Sequence, residues 1–246
     1  MRYAIFSDIH SNLEALQAVI ADAKESDVQR FICLGDIVGY NADPRACLDM
    51  VQGLDCPVIK GNHDDAASSD CELPHFNPLA LKGMEHSRNS LSEENVAYLK
   101  CLPMTLGFRG FAVVHASMHQ PENWQYVHTE KEVWHCIQYQ PGRLCFIGHT
   151  HLPMIYYDEA KEIKIVPITP NEPIQMLFDG KRKYLVNVGS VGQPRDGDWR
   201  ACYVIYDDED PSVEFRRLSY DLSLTQQKIL DAGLPDVMAQ RLLIGR

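Results

Sequence analysis

At 246 residues with 45% apolar side chains, the chain is long enough to bury a substantial core. Its formal charge of -11 argues against a protein that grips duplex nucleic acid, since such binding depends on many Lys and Arg contacts to phosphate. No apolar run approaches the length of a membrane span, and the opening MRYAIFSDIH lacks the basic, apolar and small-residue order of a signal peptide, so one cytoplasmic domain over 1–246 is expected.

The first half alternates short apolar runs with helical patterns, as βαβ units do. YAIF (Tyr3 to Phe6) reads as a strand, and Ser11 with Glu14 reads as a capping box opening a helix with Leu13, Leu16, Ile20 and Ala23 on one face. FICL (Phe31 to Leu34) is a second strand, followed by a helix from Pro44 to Leu54 and a short strand at PVI (Pro57 to Ile59). Asn77 to Leu102 reads as a helical pair split near Ser90 to Ser92, and Leu106 to His115 as a hairpin turning at Gly110. Glu130 to Tyr139 is a helix, and LCFI (Leu144 to Ile147) a strand. Beyond Leu152 the pattern changes to strands with turn signals, at Met154 to Tyr157, Ile163 to Val166, Ile174 to Phe178, Tyr184 to Val188, Ala201 to Tyr206 and Val213 to Leu218, which suggests a second sheet. A last helical stretch from Leu224 is interrupted by Gly233 and Pro235. The eight cysteines are scattered with no CxxC pair, which favours buried free thiols over disulfides or zinc knuckles.

Five polar clusters follow apolar runs: SDIH after YAIF, GDIVG after FICL, GNHD after PVIK, His115 after FAVV and GHTH after LCFI. In open α/β sheets, ligands bind beyond the carboxyl ends of the strands, so these clusters are expected to converge at one edge. Convergence would gather Asp8, His10, Asp36, Asn62, His63, Asp64, His115, His149 and His151, a mixed oxygen and imidazole set suited to borderline divalent metals. Taken singly, each has an ordinary explanation: Asp8 or Asp36 as a helix cap, His115 as a core histidine, Asn62 as a turn residue.

The order DxH (Asp8, His10), GDxxG (Gly35, Asp36, Gly39), GNHD (Gly61 to Asp64), a lone strand-end histidine (His115) and GHTH (Gly148 to His151) resembles the calcineurin-like metallophosphoesterases. GDIVGY and NVGSVGQPRDGD (Asn187 to Asp198) are closer to that superfamily's small bacterial phosphodiesterase branch. The resemblance implies an α/β fold of two stacked mixed β-sheets flanked by helices, a four-layer αββα sandwich. It implies two divalent metal ions, Mn, Fe, Ni, Co or Zn. Asp8, His10, Asp36 and His151 would hold one, and Asp36, Asn62, His115 and His149 the other, with Asp36 bridging. A hydroxide bridging the ions would attack a phosphodiester or phosphomonoester. His63 is left as general acid, with Asp64 as the carboxylate that orients it and favours imidazolium.

Tyr40, Asn41, His119 and Arg195 lie in or beside matching segments and are candidates for binding the substrate, a small phosphate ester or nucleotide. Gly189, Gly192 and Gly197 read as turn residues, and His75, His86, His128 and His135 as surface or packing residues. GDIVGY and GNHD depart from the GDxVDRG and GNHE of the superfamily's serine/threonine phosphatases, and Gly39 stands where purple acid phosphatases carry a tyrosine ligand. Two alternatives stay open: a nucleotide pyrophosphatase or diadenosine-tetraphosphatase type of hydrolase, and a metal-stabilised scaffold without activity. Partners on a membrane or duplex nucleic acid are not expected.

Overall fold

The computed structural model describes residues 1–69, 73, 76–176 and 181–246. Strand β1 (Arg2–Phe6) puts Ala4 and Phe6 on one face and Ile5 on the other, all fully buried, so both faces need cover. It pairs in parallel with β2 (Arg30–Cys33) and antiparallel with β10 (Ala201–Asp207). β10 continues antiparallel to β11 (Ser212–Leu218), and β11 to β8 (Pro173–Gln175), giving the order β2-β1-β10-β11-β8.

The second sheet has the order β3-β4-β5-β9-β6-β7, formed by Thr105–Gly107, Ala112–Val114, Leu144–Ile147, Tyr184–Asn187, Met154–Glu159 and Glu162–Val166 respectively. Its β4, β5 and β9 run parallel. The expected division, with strands beyond Leu152 forming their own sheet, is therefore corrected: β8, β10 and β11 join β1 and β2, while β3 to β5 join β6, β7 and β9. Apolar alternation shows that a strand is buried without showing which neighbour covers it.

The helices are α1 (Leu13–Glu25), α2 (Pro44–Gly53), α3 (Asn62–Ser68), α4 (Pro78–Ser90), α5 (Glu93–Cys101), α6 (Glu130–Tyr139), α7 (Leu222–Asp231) and α8 (Asp236–Leu243). Leu16, Val19, Leu48 and Val51 of α1 and α2 pack on Ala4, Phe6 and Tyr203. Ile5, Ile32 and Val204 meet Phe146 and Val186 between the sheets, and Val133 and Ile137 of α6 cover Cys145, Ile147 and Leu185. These contacts make the four αββα layers, each fully buried large side chain contributing roughly 1.5–3 kcal/mol.

Three local expectations change. The cap of α1 is Asn12, whose Oδ1 accepts from Ala15 N at 3.1 Å, while Glu14 turns to Lys228 and Thr225. PVI makes only a single parallel bridge, Val58 with Cys33. GNHD opens the unforeseen helix α3. Among the described cysteines all are free, and Cys33, Cys47, Cys136, Cys145 and Cys202 are buried. Cys71, His75 and the end of the strand expected at Ile174 to Phe178 lie outside the described residues. Among the described residues, no helix is long and apolar enough to cross a membrane.

Candidate metal centre

The chain leaves β1, β2, β4, β5 and β9 on the same side of the stack, and each exit carries part of one buried cluster. Asp8, His10, Asp36, His149 and His151 all have positive φ, between 47° and 65°. Such backbone is costly for residues with a Cβ, and it persists here because the loops are tied together. Asp8 N donates to Gly35 O at 3.1 Å, His10 N to Asp36 O at 3.0 Å and Gly148 N to His115 O at 2.8 Å. The loop after β9 closes the ring: Val191 N and Gly192 N donate to Ser7 O and Asp8 O, and Ser190 Oγ also donates to Asp8 O. At Gly192 a Cβ would lie 1.7 Å from Ile9 O, so this glycine serves close approach.

Three histidines present Nε2 to the same space. Nδ1 of His10, His115 and His151 lies 3.1, 2.7 and 2.5 Å from the carbonyl oxygens of Val38, Leu34 and Gln193. A carbonyl can only accept, so Nδ1 carries a proton and Nε2 is the nitrogen left to face the centre. His10 Nε2 and His151 Nε2 are 3.1 Å apart, and His151 Nε2 is 3.2 Å from Asp8 Oδ1. Asp36 Oδ2 is 3.6 Å from His10 Nε2 and 3.4 Å from His115 Nε2, while Asp36 Oδ1 accepts from His63 N at the start of α3.

Burial pushes the Asp8 and Asp36 carboxyls up, but the neighbouring imidazoles, His151 foremost for Asp8 and His115 for Asp36, outweigh it and hold both below the usual carboxylate range. Burial pushes His115 down, yet Asp36 and Asp8 carry it up to about 9. Burial dominates at His149, which falls to about 3, and at His63, which falls to about 4 despite Asp36.

A cation fits this arrangement and a hydrogen-bond network does not. Asp8 Oδ1, Asn62 Oδ1, His115 Nε2 and His149 Nε2 are buried without a hydrogen-bond partner. Facing lone pairs in a dry site are expensive unless something positive joins them. Asp8, His10 and His151 bring ligand atoms within 4.8 Å of one another, and so do Asp36, His115 and His149. The sequence pattern of the calcineurin-like phosphoesterase superfamily domain matches residues 1–210.

The chain belongs to this superfamily.

It is 36% identical to an uncharacterized protein of Methanocaldococcus jannaschii over 247 residues, covering 99% of this chain and 98% of that one. The crystal structure of a metallophosphoesterase from Sphaerobacter thermophilus superposes with a TM-score of 0.89 at 35% identity, covering 100% of this chain and 99% of that one. A hypothetical protein from Pyrococcus horikoshii shares the fold with a TM-score of 0.77 at 20% identity, covering 100% of this chain and 98% of that one.

The other expected residues of this metallophosphoesterase are placed unevenly. His63 lies in the cluster, its ring 4.7 Å from that of His10, and with His10 and Asp36 it forms a third group able to hold an ion. A Cβ on Gly39 would come 2.3 Å from His63 Nδ1, so the glycine leaves room for the ring. The expected role of Asp64 is corrected. Its carboxylate accepts from Asp36 N, Ile37 N and Gly61 N at 2.7 to 3.0 Å, while His63 Nδ1 has no partner. In the first turn of a helix a carboxylate folds back over the incoming loop, so adjacency in sequence does not become contact. Burial, then the nearby Asp36, pushes Asp64 up to about 7, and burial without a carboxylate partner works against an imidazolium at His63.

Tyr40 lies 4.8 and 4.9 Å from the rings of His10 and His63, and Arg195 Nη2 donates to its Oη at 3.3 Å. Asn41 is a brace, its Nδ2 donating to His10 O at 2.7 Å. His119 stacks away on α6, 4.5 Å from Tyr139 and 5.7 Å from His135. Beside the cluster opens a cavity of about 430 Å³ lined by Tyr40, Asn62, His63, Phe76, Trp124, Tyr126 and His149 among others. Phe76, Trp124 and Tyr126 were not anticipated. The one sequence signal for Trp124 and Tyr126 is their pairing in the polar stretch HQPENWQYVH after His115, which has no strand or helix period.

Proposed function

We propose that the protein hydrolyses a small phosphate ester, a phosphodiester foremost, at a centre of two divalent ions. The observation that carries this reading is the buried set of unpartnered donors, Asp8 Oδ1, Asn62 Oδ1, His115 Nε2 and His149 Nε2, around Asp36. Asp8, His10, Asp36 and His151 would hold one ion and Asp36, Asn62, His115 and His149 the other, with Asp36 Oδ2 between the two groups. Bound ions would supply Lewis-acid stabilisation of the phosphoryl oxygens and a water acidic enough to attack near neutral pH.

The chain's own groups do the rest. The Nδ1–H bonds to Val38, Leu34 and Gln193 carbonyls hold three imidazoles in the tautomer that offers Nε2. Asp64 fixes the backbone at Asp36, Ile37 and Gly61, and through it the bridging carboxylate. His63 delivers a proton to the departing ester oxygen, and an anionic phosphoryl group in the cavity offsets the burial that otherwise keeps this imidazole neutral. The cavity walls of Tyr40, Trp124 and Tyr126 seat the organic part of the ester and exclude water around it.

Imidazole, amide and carboxylate together favour Mn, Fe, Co, Ni or Zn over Mg or Ca, which prefer all-oxygen shells. Buried free thiols suit a reducing compartment, and the reading places the enzyme in the cytoplasm, acting on small molecules. The test is metal analysis of the purified protein followed by hydrolysis of a panel of mono-, di- and pyrophosphate esters with each ion restored in turn. Turnover of a diester with Mn or Zn and none with Ca is expected. A protein that binds the ions tightly and turns over no ester would overturn the assignment.

A further inference from the structure

Trp124 and Tyr126 belong to none of the hydrophobic clusters that hold the fold together, although both are large aromatic residues. They follow a short turn at Pro121–Asn123, flanked by Gln120 and Trp124 at φ 51° and 50°. Left-handed backbone is rare for a bulky residue, so the chain gives up stability to place the Trp124 side chain where it stands. The Tyr126 ring is already engaged, stacked at 4.1 Å on His149 and at 5.3 Å on His128. Trp124 makes one ring contact among the described residues, an edge contact with His115 at 6.0 Å and 74°, and it lines the cavity beside the metal centre.

That cavity, about 430 Å³, falls within the roughly 300–1,000 Å³ of small-molecule sites. Leu73, Phe76 and Ala80 supply apolar lining, and Asn77 and Asn123 bring amides. Among the described residues no lysine or arginine lines it, and the sequence from Ser69 to Asn77, SDCELPHFN, contains neither. Asp65, the one carboxylate among the described lining residues, is met by Lys60 Nζ at 3.3 Å. Arg195, bonded to Tyr40 Oη and Gln193 Oε1, is not among the lining residues. An anionic group would therefore enter without a cation to meet it, and a cationic group would find the carboxylate already paired; an uncharged group leaves nothing unmatched. Aromatic walls then favour a flat ring, which gains stacking beyond its buried area. His63 lines the same cavity, so the group seated there is bonded to the oxygen that this imidazole protonates.

We infer that the alcohol released by this enzyme carries a flat, uncharged aromatic ring, such as a nucleobase, that stacks on Trp124. The inference rests on the hydrolase reading for what fills the metal centre, and it sets a nucleoside or aryl phosphodiester ahead of a nucleoside polyphosphate, whose leaving group is itself an anion. Water adds to phosphorus and gives up a proton as the P–O bond to the alcohol breaks. The electron pair of that bond stays on the departing oxygen, which takes a proton from His63, and the phosphate monoester is left at the centre. Trp124 decides which ester is seated and takes no part in the bonds that change.

The test is calorimetric binding of phosphonates, whose P–C bond is not hydrolysed, to the metal-loaded full chain. Benzylphosphonate should bind about 3- to 10-fold tighter than cyclohexylmethylphosphonate, which has the same carbon skeleton without the flat ring, the value of one aromatic pair beyond its area. 4-Carboxybenzylphosphonate and (2-trimethylammonioethyl)phosphonate, which bring an anion or a cation into the cavity, should both bind more weakly than benzylphosphonate. Trp124→Leu should bring the benzyl to cyclohexylmethyl ratio close to one and leave methylphosphonate binding as it was, while Trp124→Phe keeps most of the preference. Where Trp124→Leu fails to fold, Trp124→Phe and the wild-type ranking still decide. Equal binding of the two rings in the wild type, tighter binding of either charged ligand, or a preference that survives Trp124→Leu overturns the inference. Turnover is scored separately on the mixed diester of benzyl alcohol and cyclohexylmethanol, from which benzyl alcohol should be released. Release of cyclohexylmethanol overturns the inference, whereas no turnover of any ester counts against the hydrolase reading alone, with the binding ratio still deciding the ring site.

Discussion

The two ends of the sheet stack offer cavities that differ inversely in size and in chemistry. The larger, about 910 Å³, lies at the end where β4 and β5 begin, lined by Gly107 to Phe111, Pro141 to Arg143, Tyr206, Asp208 and Glu209. Its charges are already matched in part: the Met1 ammonium donates to Asp208 and meets Glu209 at 3.1 Å. The smaller, about 430 Å³, opens beside the strand exits, where buried donors lack partners and Asp8, His10, Asp36, His149 and His151 hold positive φ. Volume alone would choose the other end. Unmet coordination and strained backbone coincide at the end that carries the candidate metal centre, and each costs stability that folding by itself does not require.

The sharpest way to break this contrast is at His63. His63→Ala should lower kcat/KM on alkyl or nucleoside esters by roughly 10² to 10⁴-fold, with a much smaller loss on p-nitrophenyl esters, whose leaving group needs no proton. Metal content measured on the same samples should be unchanged. Equal losses on both ester types, or a lost ion, would make His63 the third-cluster ligand that its proximity to His10 and Asp36 allows.

Asp64→Asn comes next. It keeps the shape but weakens the three bonds that hold Asp36, Ile37 and Gly61, so metal affinity should drop by roughly 10 to 100-fold, as for other outer partners of ligands. Competition with a chelator would read this, and an unchanged affinity would remove Asp64 from the support of the centre. Asn12→Ala removes the cap of α1 and the bond from Asn12 Nδ2 to Gly192 O, and should cost about 1–2 kcal/mol in denaturant unfolding. At the larger cavity, Arg109→Ala and Arg143→Ala should change stability by no more than about 0.5 kcal/mol and leave ester hydrolysis as it was. A fall in turnover there would mean that the larger cavity takes part.

That these residues cluster was legible because each follows an apolar run, and the ends of parallel strands meet whichever sheet they belong to. His10, His115 and His151 needed only that rule. The sheet assignment was not legible, since β10 is apolar on both faces and could have paired with several strands. Asp64 and Asn41 were misjudged for a shared reason: polar residues next to a ligand are as often spent on the backbone that carries it as on the reaction. Trp124 and Tyr126 were missed because the segment between β4 and α6 has no period to read.

The central claim, two ions joined by one carboxylate, is tested most directly by counting metal per chain in wild type and Asp36→Ala after equilibration with Mn or Zn and removal of free ion. Wild type should hold two per chain, and Asp36→Ala should lose both sites together, retaining fewer ions than Asp8→Ala or His149→Ala, each of which serves one site. An Asp36→Ala protein that keeps two tightly bound ions would contradict the bridge, and a wild type that never binds more than one would contradict the dinuclear centre.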